Sequence, residues 1–234
     1  MSTDLLLPSF YELQADESWT AIDFISDIHL QESEPQTFEA WCRYLRRTKA
    51  DAVFILGDLF EAWVGDDSAQ SGFAADCVAM LEEAAARVQL AFMVGNRDFL
   101  VGSALRQRVG MTALADPTRL MAWGQAVLLT HGDLLCTADT DYQAFRHQVR
   151  SEIWQQQFLA QPLAARQEQA RHIRQASKAR GQERQQAFGD AYPDINPSTA
   201  VAWMHQAGCR SLVHGHTHRP GTEVLAPGYT RYVL

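Results

Sequence analysis

The run "VFILGDLFEAWVGDD", Val53 to Asp67, passes directly from a short apolar segment into a glycine and a carboxylate, with two more aspartates within nine residues. An apolar run this short, rich in β-branched and aromatic residues and closed by Gly-Asp, reads as a buried strand that ends in a loop. Asp58 then sits at the strand end, where loop residues meet ligands. The run raises the question of which of Asp58, Asp66 and Asp67 does chemistry.

The same punctuation occurs four more times. "AIDFIS" runs into "DIHL", "LAFMV" into "GNRDF", "AVLLT" into "HGD" and "SLVH" into "GHTH". Between these runs lie helical stretches such as Phe73 to Val88, whose apolar residues recur at three- and four-residue spacing. Strands alternating with helices imply an α/β layered domain. In such domains the loops after the carboxyl ends of the strands gather on one edge, so five distant segments can share one pocket.

The rest of the chain sets bounds on function. A chain of 234 residues, 47% of them hydrophobic, can bury one sizeable core with an insertion. Its net charge of -8 argues against a general nucleic-acid binder. Cys42, Cys77, Cys136 and Cys209 form no CxxC pair, as expected of reduced, buried thiols. The segment "MSTDLLLPSFYEL" lacks a basic start and a long apolar stretch, and no run approaches the roughly 18 apolar residues of a spanning helix. The segment from Tyr142 to Gln186 breaks the rhythm: it carries +5 against -13 elsewhere, holds no strand-like run and reads as helices interrupted at Pro162. Phe145, Val149 and Ile153 fall at i, i+4 and i+8, and Trp154, Phe158, Leu159 and Leu163 extend that apolar surface.

The strand-end loops collect Asp27, His29, Asp58, Asn96, His131, His216 and His218. Carboxylate, amide and imidazole without thiolate form a ligand set for two manganese, iron or zinc ions rather than for copper or a structural zinc. Two cations about 3.5–4 Å apart share a ligand, normally a carboxylate, and Asp58 is the candidate bridge. Singly, a DxH or GD after a strand is an ordinary turn or cap; the conjunction of five carries the reading. His147, His172 and His205 read as surface residues and His214 as strand-end packing.

With these motifs in the order D-x-H, G-D, G-N-R-D, H and G-H-x-H, the chain resembles the calcineurin-like metallophosphoesterases from about Ile22 to Arg219. The resemblance implies a four-layer αββα sandwich, two β-sheets face to face with helices outside. It places the catalytic domain at 20–234, with 142–186 as a helical lid inside it and 1–19 as an extension. It implies that Asp27, His29, Asp58 and His218 hold one metal and Asp58, Asn96, His131 and His216 the other. Asp66 and Asp67 are left as solvated loop residues or support. Arg97 stands where many members carry a histidine that protonates a leaving alkoxide. Arginine neutralises phosphate but donates no proton near neutral pH, which favours a leaving group that departs as a phosphate.

The longer strings "GDLFEAWVGDD", "GNRDFLVG", "HGDLLCT", "YQAFR" and "HGHTHRP" look like the branch of that family that splits UDP-2,3-diacylglucosamine at its diphosphate in lipid A biosynthesis. This narrower resemblance implies two Mn2+ ions per chain, a water between them as nucleophile, and a peripheral place on the cytoplasmic face of the inner membrane. It implies a lipid-linked UDP-sugar as substrate, with no nucleic acid and no obligate protein partner. Substrate contacts fall on Asn96, Arg97, Asp139, Ser177, Arg184 and His216, with Arg97 also catalytic. The insertion is expected to hold acyl chains on its apolar faces while Arg174, Lys178 and Arg184 face phosphate. Gly181 stands where a polar side chain is expected, and the chain reaches "RYVL" where members of that branch continue with closing strands. The rival readings are a phosphoesterase acting on soluble nucleotides and a non-catalytic scaffold, which should show broken ligand positions.

Overall fold

The computed structural model describes residues 7–188 and 194–234, with side chains described outside 180–193. The strands are β1 (Tyr11–Gln14), β2 (Ile22–Ile25), β3 (Ala52–Leu56), β4 (Gln89–Met93), β5 (Thr112–Leu114), β6 (Thr118–Ala122), β7 (Gln125–Thr130), β8 (Ser211–His214), β9 (Gly221–Ala226) and β10 (Tyr229–Val233). The helices are α1 (Pro35–Arg47), α2 (Gly72–Ala85), α3 (Ser103–Val109), α4 (Thr140–Val149), α5 (Glu152–Leu159), α6 (Leu163–Phe188) and α7 (Pro197–Gln206).

The strands form two sheets, β2-β3-β4-β5 and β1-β6-β7-β8-β10-β9. In the first every pairing is parallel, with Phe24 beside Phe54 and Ile55 beside Phe92. All five residues of β3 are buried, and its period-two alternation divides them between two cores. Val53 and Ile55 pack outward against Trp41 and Leu45 of α1 and Val78 and Leu81 of α2. Ala52, Phe54 and Leu56 pack inward against Leu120, Leu129 and Val213 of the second sheet. The outer face of that sheet, with Leu128 and Leu212, is covered by Trp203 and Met204 of α7. Helices, sheet, sheet and helix therefore stack as an αββα sandwich.

The segment Tyr11–Gln14 forms β1, the edge strand beside β6, with Leu13 opposite Leu120. Its four residues are mostly exposed, so it lacks the apolar signature that marks the buried strands.

In the insertion, α4 ends at Val149 and α5 begins after Ser151, which caps it. The spacing of Phe145, Val149 and Ile153 assumes one continuous helix. The break turns Ile153 away, and it is 70% exposed. Among the described residues no helix is long and apolar enough to cross a membrane. All four cysteines are buried and free.

Candidate metal centre and substrate cleft

All five motif loops leave the carboxyl ends of β2, β3, β4, β7 and β8 at one edge of the sandwich. Two backbone features adapt them for close assembly. Asp27, His29, Asp58, His216 and His218 have φ of 54°, 52°, 54°, 68° and 52°, left-handed values that L side chains rarely take and that need the surrounding structure to hold them. Gly95 and Gly215 are the reverse case, because a Cβ at Gly95 would overlap Asp58 and one at Gly215 would overlap Ser26 and Asp27. The loops are then cross-tied: Asp27 N donates to Gly57 O at 3.1 Å, Gly215 N to His131 O at 3.0 Å and His216 N to Asp27 Oδ2 at 2.8 Å.

Two clusters of lone-pair donors result. Around Asp27, His29 Nε2 lies 3.8 Å from both Asp27 Oδ1 and Asp58 Oδ2, His218 Nε2 lies 3.4 Å from Asp27 Oδ1, and the two imidazole nitrogens are 3.2 Å apart. On the other side, Asn96 Oδ1 meets His131 Nε2 at 2.9 Å and His216 Nδ1 at 2.8 Å, with Asp58 Oδ1 3.7 Å from His131 Nε2. Asp58 lies between the clusters. The seven residues singled out from the sequence thus converge, and the donor set fits a pair of hard or borderline cations. Asp27 Oδ1 is buried and accepts no hydrogen bond, as expected of an oxygen aimed at an ion.

The electrostatics agree with that fit. Burial pushes the Asp58 carboxyl up, against the pull of His131, and the neighbouring Asp27 adds to the rise. Burial also raises Asp27, but contacts from His218, His131, Ser26 and the His216 backbone hold it well below the usual carboxylate range. Burial, then repulsion from His131, drives His216 down to about 3, leaving a neutral ring with a lone pair. Burial opposes a charge on His131, but Asp58, Asp133 and Asp27 together carry it up to about 9. A cation here would take the place of that proton.

Next to these clusters opens a cleft of about 210 Å³. Asn96, Arg97, Asp139, Ser177 and His216 all line it, five of the six residues expected to touch substrate. The sixth, Arg184, has its side chain outside the described residues, as does Gly181 by position. Asp139 also caps α4 by accepting from Tyr142 N at 3.2 Å. The apolar wall comes from Phe145, Trp154 and Phe158, with Trp154 and Phe158 stacked at 4.8 Å. Leu159 packs at Gly65 and is 42% exposed, away from the lining.

Four basic residues of the insertion have partners on the body of the domain. Arg146 Nε donates to buried Asp133 at 2.7 Å, and Arg150 to Gly95 O at 2.8 Å. Arg166 binds Asp67 and Val64 O, and Arg174 binds Glu61. Arg174 therefore faces a carboxylate of the body, although it also lines the cleft. Arg146, Arg150, Arg166 and Arg174 are struts fastening the helices to the motif loops. Composition shows their charge but not their partners. Lys178 is exposed.

Asp66 and Asp67 also have defined work. Asp66 accepts from Trp63 Nε1, Gly102 N and Leu105 N, pinning the start of α3, while Asp67 holds Arg166. Asp98 was not singled out from the sequence, although it completes Gly-Asn-Arg-Asp. Fully buried, it accepts from Leu59 N and Gly95 N at 2.8 Å each, joining the Gly-Asp and Gly-Asn loops. Asp133 likewise anchors Arg146 and Tyr142, whose ring stacks on His216 at 5.9 Å. Both aspartates stand within the quoted motifs, so the signal was position two residues after a ligand-type side chain.

Residues 20–220 match the calcineurin-like phosphoesterase family. A UDP-2,3-diacylglucosamine hydrolase of Xanthomonas axonopodis pv. citri (strain 306) is 47% identical over 219 residues, covering 90% of this chain and 89% of its own. One of Xanthomonas campestris pv. campestris (strain B100) is 48% identical over 221 residues, and one of Stenotrophomonas maltophilia (strain K279a) 45% over 221, each across 90% of this chain. With that similarity along nearly its whole length, and with five motif loops at one sheet edge, the chain belongs to the calcineurin-like phosphoesterase family.

Proposed function

We propose that the chain is a metal-dependent hydrolase that splits the diphosphate bond of UDP-2,3-diacylglucosamine into UMP and 2,3-diacylglucosamine 1-phosphate, a step of lipid A biosynthesis. The observation that carries this reading is the continuity of the cleft. Its lining combines His216, Asn96 and Arg97 with Phe145, Trp154 and Phe158. A substrate with a diphosphate at one end of its sugar and acyl chains on the ring needs such a change from charged to apolar surroundings. A soluble nucleotide does not need the apolar wall.

In this reading Asp27, His29, Asp58 and His218 would hold one Mn2+ and Asp58, Asn96, His131 and His216 a second. Such a pair supplies Lewis acidity and a water nucleophile at neutral pH. The chain's own residues do the rest. Arg97, with Nε 3.6 Å from Asp58 Oδ2, is placed at the border between ions and substrate, where its guanidinium neutralises phosphate charge. Water adds its oxygen to one phosphorus while the bridging oxygen leaves with the other phosphate, so no alkoxide needs a proton. Asn96 and His216 serve both ion and substrate, and Asp139, Ser177 and Arg184 hold the sugar and phosphate. The domain spans 20–234, with β1 of the preceding segment paired onto its second sheet, and 142–186 serves as its lid. Its acylated substrate brings it to the cytoplasmic face of the inner membrane as a peripheral protein.

The test is turnover of UDP-2,3-diacylglucosamine against a UDP-sugar without acyl chains, with Mn2+ and after chelation. Manganese-dependent release of UMP from the acylated substrate alone is expected. Equal turnover of both favours the soluble-nucleotide reading, and none of either favours a scaffold.

A further inference from the structure

Glu61 lies three residues after Asp58 and outside both ligand clusters, yet it contacts both the metal centre and the lid. Its Oε2 is 3.0 Å from His29 Nδ1, the ring nitrogen opposite the one nearest Asp27 and Asp58; this is an ion-pair approach without hydrogen-bond alignment, and the buried Nδ1 makes no hydrogen bond among the described residues. Its Oε1 accepts from Arg174 Nε at 2.8 Å and also from Nη2. His29 follows β2, Glu61 follows β3, and Arg174 stands on α6. One carboxylate therefore touches a residue of the metal centre and a residue of the lid.

The geometry points to Glu61 as a positioning residue that fixes His29 for a cation and ties occupancy of that cation to the docking of helix α6 through Arg174. The chemistry of imidazole supports the first half. A ring that offers Nε2 to a cation carries its proton on Nδ1, and a carboxylate facing Nδ1 holds that tautomer and makes Nε2 more basic. The second half follows from charge. In the row of cation, neutral imidazole, carboxylate and guanidinium the single negative charge lies between two positive ones, and all three side chains are a quarter exposed or less, so solvent screens the row only in part. Linkage is reciprocal: whatever docking of α6 contributes to cation affinity, the cation returns to docking. Arg166, the other strut on α6, reaches Asp67 and Val64 O but no ligand, so it fastens the helix without sensing the ion.

The inference rests on the proposed metal-dependent function, and the experiment separates the two. Glu61→Gln, Glu61→Ala and Arg174→Ala are compared with the wild-type chain by calorimetric titration with Mn2+ and by amide hydrogen exchange across residues 163–179. Glu61→Gln should weaken one Mn2+ site by about 10- to 100-fold and leave the other unchanged. Mn2+ should slow exchange in α6 of the wild type but not of Glu61→Gln, even at saturation, and Arg174→Ala should lose the same response with both ions bound. Glutamine keeps the shape, so a purely structural role would leave both readouts at wild-type values. Affinities within about two-fold of wild type overturn the inference, as does a Glu61→Gln chain whose α6 still responds to Mn2+. A wild-type chain that binds no Mn2+ overturns the proposed function with it.

Discussion

Arg166 is buried on α6, and its guanidinium reaches across the chain to Asp67, with Nη1 2.9 Å from Oδ1, while also donating to Val64 O and to Gln161 O. The lid helix is thereby bolted to the loop that follows β3, the same loop that carries Asp58. Arg166→Ala removes the charge, its packing and its hydrogen bonds together, leaving the Val64 and Gln161 carbonyls short of a donor. The expected loss is about 2–4 kcal/mol, or roughly 5–15 °C in Tm for a chain of this size. Asp67→Asn should cost less, because Asp67 is half exposed and arginine retains its two carbonyl partners. Differential scanning calorimetry decides the order, and a larger loss for Asp67→Asn contradicts the assignment.

Asp58 stands between two clusters of donors, so its removal should affect both ions. Asp58→Ala is expected to abolish turnover and to lower bound metal further than substitution of His218 or His131 alone, because two cations left without a shared anion face each other's charge. Metal per chain after gel filtration measures it. Two tightly retained ions in Asp58→Ala would show that another group bridges them.

Arg97 offers no lone pair and sits beside Asp58, so Arg97→Ala takes a positive charge away from the ions without removing a ligand. Metal occupancy should hold or rise slightly. Loss of a charge-assisted phosphate contact in a partly dry site costs on the order of 2–4 kcal/mol, about 30- to 1000-fold in kcat/KM. Steady-state kinetics at saturating Mn2+ test this, and activity within about two-fold of wild type would exclude a phosphate role.

The sandwich and the loop edge were legible because each depends on local pattern. Four of the five runs that end in motifs, β3, β4, β7 and β8, are interior strands, and burial between sheet and helix writes itself as largely apolar sequence; β2 is a half-buried edge strand read chiefly through the motif that follows it. β1, β9 and β10 lie toward the sheet margins with alternating or exposed residues, and nothing so plain marks them. The residues with ligand chemistry were legible because their types recur at strand ends. Their supports were not: Asp98, Asp133 and Glu61 are carboxylates whose meaning lies in what they touch, residues 3 to 113 positions away. The same limit hid the pairing of Arg174 with Glu61 and misplaced Ile153. A charge count cannot say that a cation is already paired, and a helical period cannot foresee the break at Ser151.

The apolar wall gives the sharpest separation of binding from chemistry. Phe145 lines the cleft at its rim and is 36% exposed, so Phe145→Ser removes a contact with acyl chains at little cost to folding. Phe158 lines the same wall but also belongs to the core between α2 and the lid, stacked on Trp154, so Phe158→Ala weakens both. Each truncation should lower kcat/KM for the diacylated substrate by on the order of 1–3 kcal/mol, roughly 5- to 150-fold, since several methylene-sized contacts are lost at about 0.8 kcal/mol each. Hydrolysis of a small activated phosphodiester uses the ions and Arg97 but not the wall, and for Phe145→Ser it should stay near the wild-type rate. For Phe158→Ala the comparison is made at a temperature where circular dichroism shows the chain folded. If Phe145→Ser slows both substrates in equal proportion, the wall supports the fold of the site and binds no acyl chain.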